Sequence, residues 1–374
     1  MPLSAGSGFN FEDTSAEYVA ELKADVAYAK ARNIEVGGYD LISETRQGTG
    51  YDEVSPATGT GTGSACMASA WERILLDKVM AVLNATGMSM IETDGPYGGQ
   101  PCASADHDHY GVEDSVDMQW KGQTAFYRRL RAAGAFVHAP DGYLFEGGAN
   151  KECGGYQEMQ MNLPRWQSLS INRQVVYDET FTQTPTQAWQ FAALVDYHGG
   201  SNAALEPLSE HLPAWEWTLA TYLGAGYGTC YRGDRLYDSP AVKAMVTRWM
   251  AFWVKYRSVL AQDVVHIRRP DMQQIDAILH VDPNATAEVC GLMMVFNPAF
   301  GGGNATARLR VPLYYTGEAD AVMLAQEEGP ARRTPLRRDF SVAVEVSLPP
   351  LGITYFVIRR EKTAGQLPPA QRRG

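Results

Sequence analysis

Apolar positions in the first half of the chain recur in two alternating rhythms. Val19, Leu22, Val26 and Ala29 fall at helical spacing behind the capping pattern Thr14-x-x-Glu17, and the helix ends near Asn33. A short strand, Ile34 to Val36, leads into Gly37-Gly38-Tyr39-Asp40. Trp71, Leu75, Val79 and Val82 predict the next helix, closed by Gly87. Met88 to Ile91 read as a strand that runs into Glu92 and Asp94 and breaks at Gly95-Pro96. Phe126 and Leu130 mark a helix ending at Gly134, and residues 135–139 form a strand running into Pro140-Asp141. Polar, Gly-rich loops cover residues 47–65, 95–120 and 146–155. A strand is expected over 166–173, and 187–198 is a further apolar stretch.

Two later helices are the clearest in the sequence. Leu208, Leu212, Trp215, Leu219 and Tyr222 alternate steps of four and three up to Gly224. Ser239-Pro240 supplies an N-cap and first-turn pair for a stripe of Met245, Trp249, Phe252, Tyr256 and Val259. Near residue 272 the period changes to two. Phe340, Val342, Val344, Val346 and Leu348 alternate with smaller or polar residues, and 290–296, 308–315 and 353–358 read as further strands.

Strand–helix alternation followed by a run of strands predicts an α/β chain with a parallel sheet and a separate all-β part. No GxGxxG follows the first strand and no Walker loop is present, which removes the main support for a nucleotide-binding sheet. The expected architecture is therefore a (β/α)8-type TIM barrel over residues 1–271, an antiparallel β-sandwich over 272–360, and a disordered polar tail over 361–374.

Composition narrows the partners. A net charge of −11 without a Lys/Arg cluster argues against nucleic acid, and no apolar run is long enough to span a bilayer. The start at Met1 has neither the basic nor the apolar segment of a signal peptide, so localisation is left open, as is oligomeric state. Eight Trp and 19 Tyr suit a cleft that stacks on sugars, but large soluble enzymes of any kind also carry many aromatics. Cys66, Cys102, Cys153, Cys230 and Cys290 form no CxxC pair and no regular metal spacing, so neither a metal nor a cofactor is expected.

The chemistry concentrates in Ile91-Glu92-Thr93-Asp94-Gly95-Pro96-Tyr97. Strand residues alternate faces, so Glu92 and Asp94 point the same way at the C-terminal end of a strand, where parallel α/β barrels carry their chemistry. Asp106-His107-Asp108-His109, in the long loop after it, is a competing cluster whose alternation suits a divalent ion or sugar hydroxyls. Lys151 and Arg232 sit at strand-to-loop junctions and could supply cations to the same cleft.

The order of elements resembles the clan D retaining glycosidases, the α-galactosidase and α-N-acetylgalactosaminidase superfamily. Glu92-Thr93-Asp94-Gly95 resembles that family's fourth-strand motif, Lys-x-Asp, which implies Asp94 as the nucleophile. Val137-His138-Ala139-Pro140-Asp141 resembles the fifth strand and implies Asp141 as a sugar-binding acid. Arg173-Gln174-Val175-Val176-Tyr177-Asp178 resembles the sixth-strand motif and implies Asp178 as acid/base, with Glu179 as alternate. The resemblance thus implies a retaining α-glycosidase for galactose-like sugars, or an inactive, carbohydrate-binding relative. Glu92, Tyr97, His107, His109, Asp141, Lys151, Arg173 and Arg232 are the substrate-binding candidates. The chain departs from the pattern in three places. Glu92 replaces the family's Lys, the Arg-to-Asp spacing is one residue longer, and the first two strands have no counterpart, as in an N-terminally truncated relative.

Overall fold

The structure, a computed structural model, describes residues 11, 13–42, 50–95, 99–140, 153–157, 162–179, 187–196 and 200–361. Two compact units divide the chain, residues 1–157 with 186–189 and residues 158–185 with 190–374. The polar tail beyond residue 361 lies outside the described residues.

The first unit runs α1 (Ala16–Lys30), β1 (Gly37–Asp40), β2 (Asp52–Val54), β3 (Gly61–Ala65), α2 (Ala70–Thr86), β4 (Met90–Thr93), α3 (Val112–Ala132), β5 (Phe136–Pro140) and β6 (Cys153–Gln157). Strands β1, β4, β5 and β6 lie side by side in that order, each pair parallel. Such pairs need crossovers, and α2 and α3 supply them. Ser69 caps α2 by accepting from the Trp71 N–H at 3.2 Å, and Gly87 ends it in the left-handed region at φ 76°. Leu75, Val79, Phe126 and Leu130 of these helices are buried with Ile91 and Val137 of the strands in one core. The loop expected over 47–65 contains the antiparallel hairpin β2–β3. Strand β1 starts at Gly37, later than Ile34 to Val36, and α1 begins after Ser15 with no side-chain cap, so the Thr14 capping pattern is not used.

The second unit holds α4 (Arg165–Glu179), most of β7 (Gln187–Ala193), α5 (Leu212–Gly224), β8 (Gly228–Arg232), α6 (Pro240–Leu260), then β9 (Asp263–Arg268), β10 (Asp276–Val281), β11 (Val289–Phe296), β12 (Ala305–Pro312), β13 (Ala321–Gln326), β14 (Arg332–Pro335), β15 (Ser341–Leu348) and β16 (Ile353–Arg360). An antiparallel sheet of order β14-β13-β16-β11-β10-β9 and a ladder of β12 with β15 share a core of Leu279, Val295, Val311, Val344 and Ile358. The antiparallel part begins at β9, ahead of the change of period near 272. The stripes of α5 and α6 pack with Leu292, Met294 and Phe296 of β11 in a second core. Ser239 caps α6 through the Val242 N–H at 3.3 Å. Trp217, buried on α5, satisfies its indole N–H on the Leu351 carbonyl at 2.9 Å.

One element differs in kind. Residues 166–173, expected as a strand, lie in helix α4. Trp166, Leu169, Arg173 and Val176 recur at helical steps, and the last three are buried on one face. A charged residue in the apolar stripe disguises the periodicity. The Arg173 guanidinium is ion-paired with Asp276 and stacks over the rings of Phe296 and Trp217, 3.9 and 4.8 Å from their centroids. Burial pushes the Asp276 carboxyl up to about 6 against the pull of Arg173.

His280 on β10 is fully buried and its Nε2–H donates to the Gly224 carbonyl at 3.1 Å. Burial pushes its pKa down to about 4. The unfolded chain takes up that proton near pH 6.5, so the contribution is complete above 6.5 and is lost as pH falls towards 4. His280→Gln keeps a donor without a titrating ring. Urea unfolding at pH 7 and pH 5 is expected to show the wild type losing about 2 kcal/mol more than the variant across that interval.

Candidate active site

Parallel pairing aligns three strand ends of the first unit. Tyr39 of β1 stands opposite Glu92 of β4, which stands opposite His138 of β5, so the three side chains form one row on one face. Ile91 and Thr93 face the other way. Ile91 is buried in the helix-covered core, and the Thr93 hydroxyl meets the Tyr127 hydroxyl of α3 at 2.7 Å. The two faces of β4 are thereby sorted, apolar contacts and a buried hydroxyl pair on one, acids on the other.

Asp94 follows the last residue of β4. Its backbone N–H donates to the Asp40 carbonyl at 2.9 Å, continuing the ladder one step past the strand. The Tyr39 hydroxyl donates to Asp94 Oδ2 at 2.5 Å. Gly95 then turns the chain with φ 79°, a left-handed conformation that L side chains resist. Asp94 is partly exposed, whereas Asp40, Glu92 and His138 are buried. Glu92 Oε2 lies 3.4 Å from His138 Nδ1, inside the protein and next to the strand end that carries Asp94.

Five of the candidate residues behave otherwise than a sugar contact would. Arg173 is committed to Asp276 in the core of the second unit. Asp178 is half-exposed on α4 and forms a surface ion pair with Arg269 at 2.6 Å. His107 is buried, with Nε2 against the Gly50 carbonyl at 3.0 Å and Nδ1 against the Cys102 sulfur at 3.4 Å. His109 stands edge-on to it, ring centroids 5.8 Å apart. Asp108 of the same cluster is paired with Arg73 at 2.8 Å. Arg232, at the end of β8, lies over the Phe191 ring at 4.3 Å. Tyr97, Asp141, Lys151 and the side chain of Glu179 lie outside the described residues.

Tyr39, Asp40 and His138 belong to the site but did not stand out in sequence. The available signal was the second acid at a strand end, Gly38-Tyr39-Asp40, which mirrors Ile91 to Asp94 one crossover later. In the second unit, a cleft of about 450 Å³ is lined by Trp249, Phe252 and Tyr355. Its three carboxylates are engaged, Glu216 with Arg248, Glu328 with Lys255, and Glu327 with the Thr354 hydroxyl.

No family model matches the chain, and no curated protein matches it. Solved structures do. The GH36 α-galactosidase AgaA of Geobacillus stearothermophilus, in a variant form complexed with raffinose, is 10% identical with a TM-score of 0.61, covering 89% of this chain and 46% of that one. An α-galactosidase from Lactobacillus brevis is 10% identical at 0.61, covering 92% and 47%. The galactosidase domain of the α-galactosidase–sucrose kinase AgaSK is 13% identical at 0.59, covering 90% and 45%. The chain is similar in fold to part of these α-galactosidases. It spans under half the length of these solved chains. At 10–13% identity the likeness is one of fold, and the site argument rests on the residues above.

Glu92 and His138 are buried within 3.4 Å of each other, so the stability losses of His138→Leu and Glu92→Leu are expected to be non-additive in the double variant. Denaturant unfolding of the two single variants and the double checks this; additive losses would mean the pair is not coupled.

Proposed function

We propose that this chain is a retaining α-glycosidase for galactose-like sugars, with Asp94 as nucleophile. The single observation behind this is the position of Asp94. It stands partly exposed, just past the C-terminal end of a strand flanked by two parallel neighbours, with its carboxylate held by the Tyr39 hydroxyl. The substrate class follows the likeness to the α-galactosidases. On this reading the parallel strands belong to a (β/α)8-type barrel, and the antiparallel part is a C-terminal β-sandwich.

In the reaction, the Asp94 carboxylate attacks the anomeric carbon while a second carboxyl group gives its proton to the departing glycosidic oxygen. Water, deprotonated by that same group, then releases the sugar from Asp94 and restores the acid. The nucleophile must stay ionised, and the family's Lys two residues earlier is Glu92 here. In place of that cation, Glu92 Oε2 stands 3.4 Å from Nδ1 of the buried His138 imidazole. The Tyr39 hydroxyl donates to the Asp94 carboxylate. The acid/base role falls to Asp178 by the resemblance alone. Its exposed ion pair with Arg269 does not supply the burial or like charge that holds a proton on a general acid.

Turnover of an aryl α-galactoside is expected, and Asp94→Asn is expected to lower kcat by about 10⁴-fold or more. Full activity in that variant would end the assignment. Asp178→Asn separates the second role, with a loss of about 10²–10⁴-fold and an altered alkaline limb of the pH profile if Asp178 is the acid/base. A second reading, a carbohydrate-binding relative without turnover, is favoured by the buried Glu92–His138 pair in place of a Lys. Calorimetry with galactosides discriminates the two, since binding without product release supports the second.

A further inference from the structure

Cys66 converges with three side chains of the loop that follows Asp94. Cys66 lies just past β3, and Cys102, His107 and His109 lie in the loop between β4 and α3. Each offers one ligand atom, and the four atoms lie within 4.8 Å of one another. We propose that Cys66, Cys102, His107 and His109 form a structural zinc site that pins this loop to the β2–β3 hairpin.

The donor set is two thiols and two imidazoles, a combination tetrahedral Zn²⁺ takes in structural sites. Zn–S bonds of about 2.3 Å and Zn–N bonds of about 2.0–2.1 Å place neighbouring S and N ligands roughly 3.3–3.8 Å apart. The Cys102 sulfur and His107 Nδ1 are already 3.4 Å apart. The outer contacts fit as well. The His107 Nε2–H donates to the Gly50 carbonyl at 3.0 Å, which leaves Nδ1 as the bare nitrogen facing Cys102. The Val54 N–H donates to the Cys102 sulfur at 3.3 Å, an arrangement that stabilises a thiolate.

His109 gives the independent sign. Both of its ring nitrogens are shut off from solvent, and neither meets a hydrogen-bond partner among the described residues. A buried polar group left so is destabilising, a penalty that a metal bond removes. The rest of the loop is held without the metal, which preorganises the ligands. The Cys102 N–H donates to the Ser115 hydroxyl at 3.0 Å and the Asp108 N–H to the Ala68 carbonyl at 2.6 Å. Gly122 of α3 lets the Met67 backbone press close, since a Cβ there would stand 2.2 Å from the Met67 oxygen.

Binding releases the two thiol protons to solvent and leaves Zn²⁺ neutralised by two thiolates and two neutral imidazoles. Four protein ligands close the coordination sphere, so the metal holds the loop and takes no part in hydrolysis. The Asp106-His107-Asp108-His109 run is therefore only half of a site. Asp108 serves Arg73, and the other two ligands are the cysteines.

The test is elemental analysis of the full chain purified without chelators from zinc-supplemented cells. One zinc per chain is expected, lost in Cys66→Ser and in His109→Ala and retained in Cys230→Ser. Cobalt replacement is expected to give the absorption of a tetrahedral site with two thiolates, a readout independent of activity. His109→Cys keeps four ligands and is expected to retain metal, which separates ligation from folding. A folded wild-type chain without metal that also takes up no Co²⁺ would overturn the proposal, as would a Cys66–Cys102 disulfide found by peptide mapping.

Discussion

The register between β1, β4 and β5 governs the first unit. Because Tyr39, Glu92 and His138 are level across three parallel strands, one face collects a hydroxyl, an acid and an imidazole while Ile91 and Val137 go into the helix-covered core. A slip of one residue would exchange the two faces, putting Glu92 into the core with Leu75 and Phe126 and Ile91 into the polar row. The apolar face therefore fixes the polar one. Asp94 comes out of this arrangement tethered twice, by its backbone to Asp40 and by its carboxylate to Tyr39. The loop that begins there is fixed in turn at Cys102 and Asp108.

The second unit uses an opposite device. Its buried charge pair, Arg173 with Asp276, lies between aromatic rings and joins α4 to β10. Desolvation competes with the ion pair strongly enough to lift the Asp276 pKa. Such a pair adds little net stability over apolar side chains of the same size, but neither partner can leave without stranding the other. It specifies how the helix meets the sheet. The polar row of the first unit instead borders the partly exposed Asp94 carboxylate, which the Tyr39 hydroxyl holds.

Much of this was legible in the sequence wherever the signal is local. The apolar stripes of α2, α5 and α6, the cap of α6 at Ser239, and the alternation of Val342, Val344, Val346 and Leu348 each depend on neighbours within a few turns or strand steps. The Glu92–Asp94 spacing placed an acid at a strand end for the same reason. Helix α4 was not legible because its stripe contains Arg173, whose burial is stabilised by Asp276 about a hundred residues later. The register that joins Glu92 to His138, and the convergence of Cys66 with Cys102 and His109, were equally hidden. Linear spacing says nothing of contacts made across a sheet or between a hairpin and a distant loop, and so the cysteines looked unrelated.

The central claim is that Asp94 is a nucleophile. The most direct measurement is intact mass after treatment with an activated, mechanism-based α-galactoside inhibitor, followed by peptide mapping, with Asp94→Asn treated in parallel. The account predicts one glycosyl adduct per chain, mapped to Asp94 and absent from the variant. An adduct on another carboxylate, or none on folded protein, would contradict it.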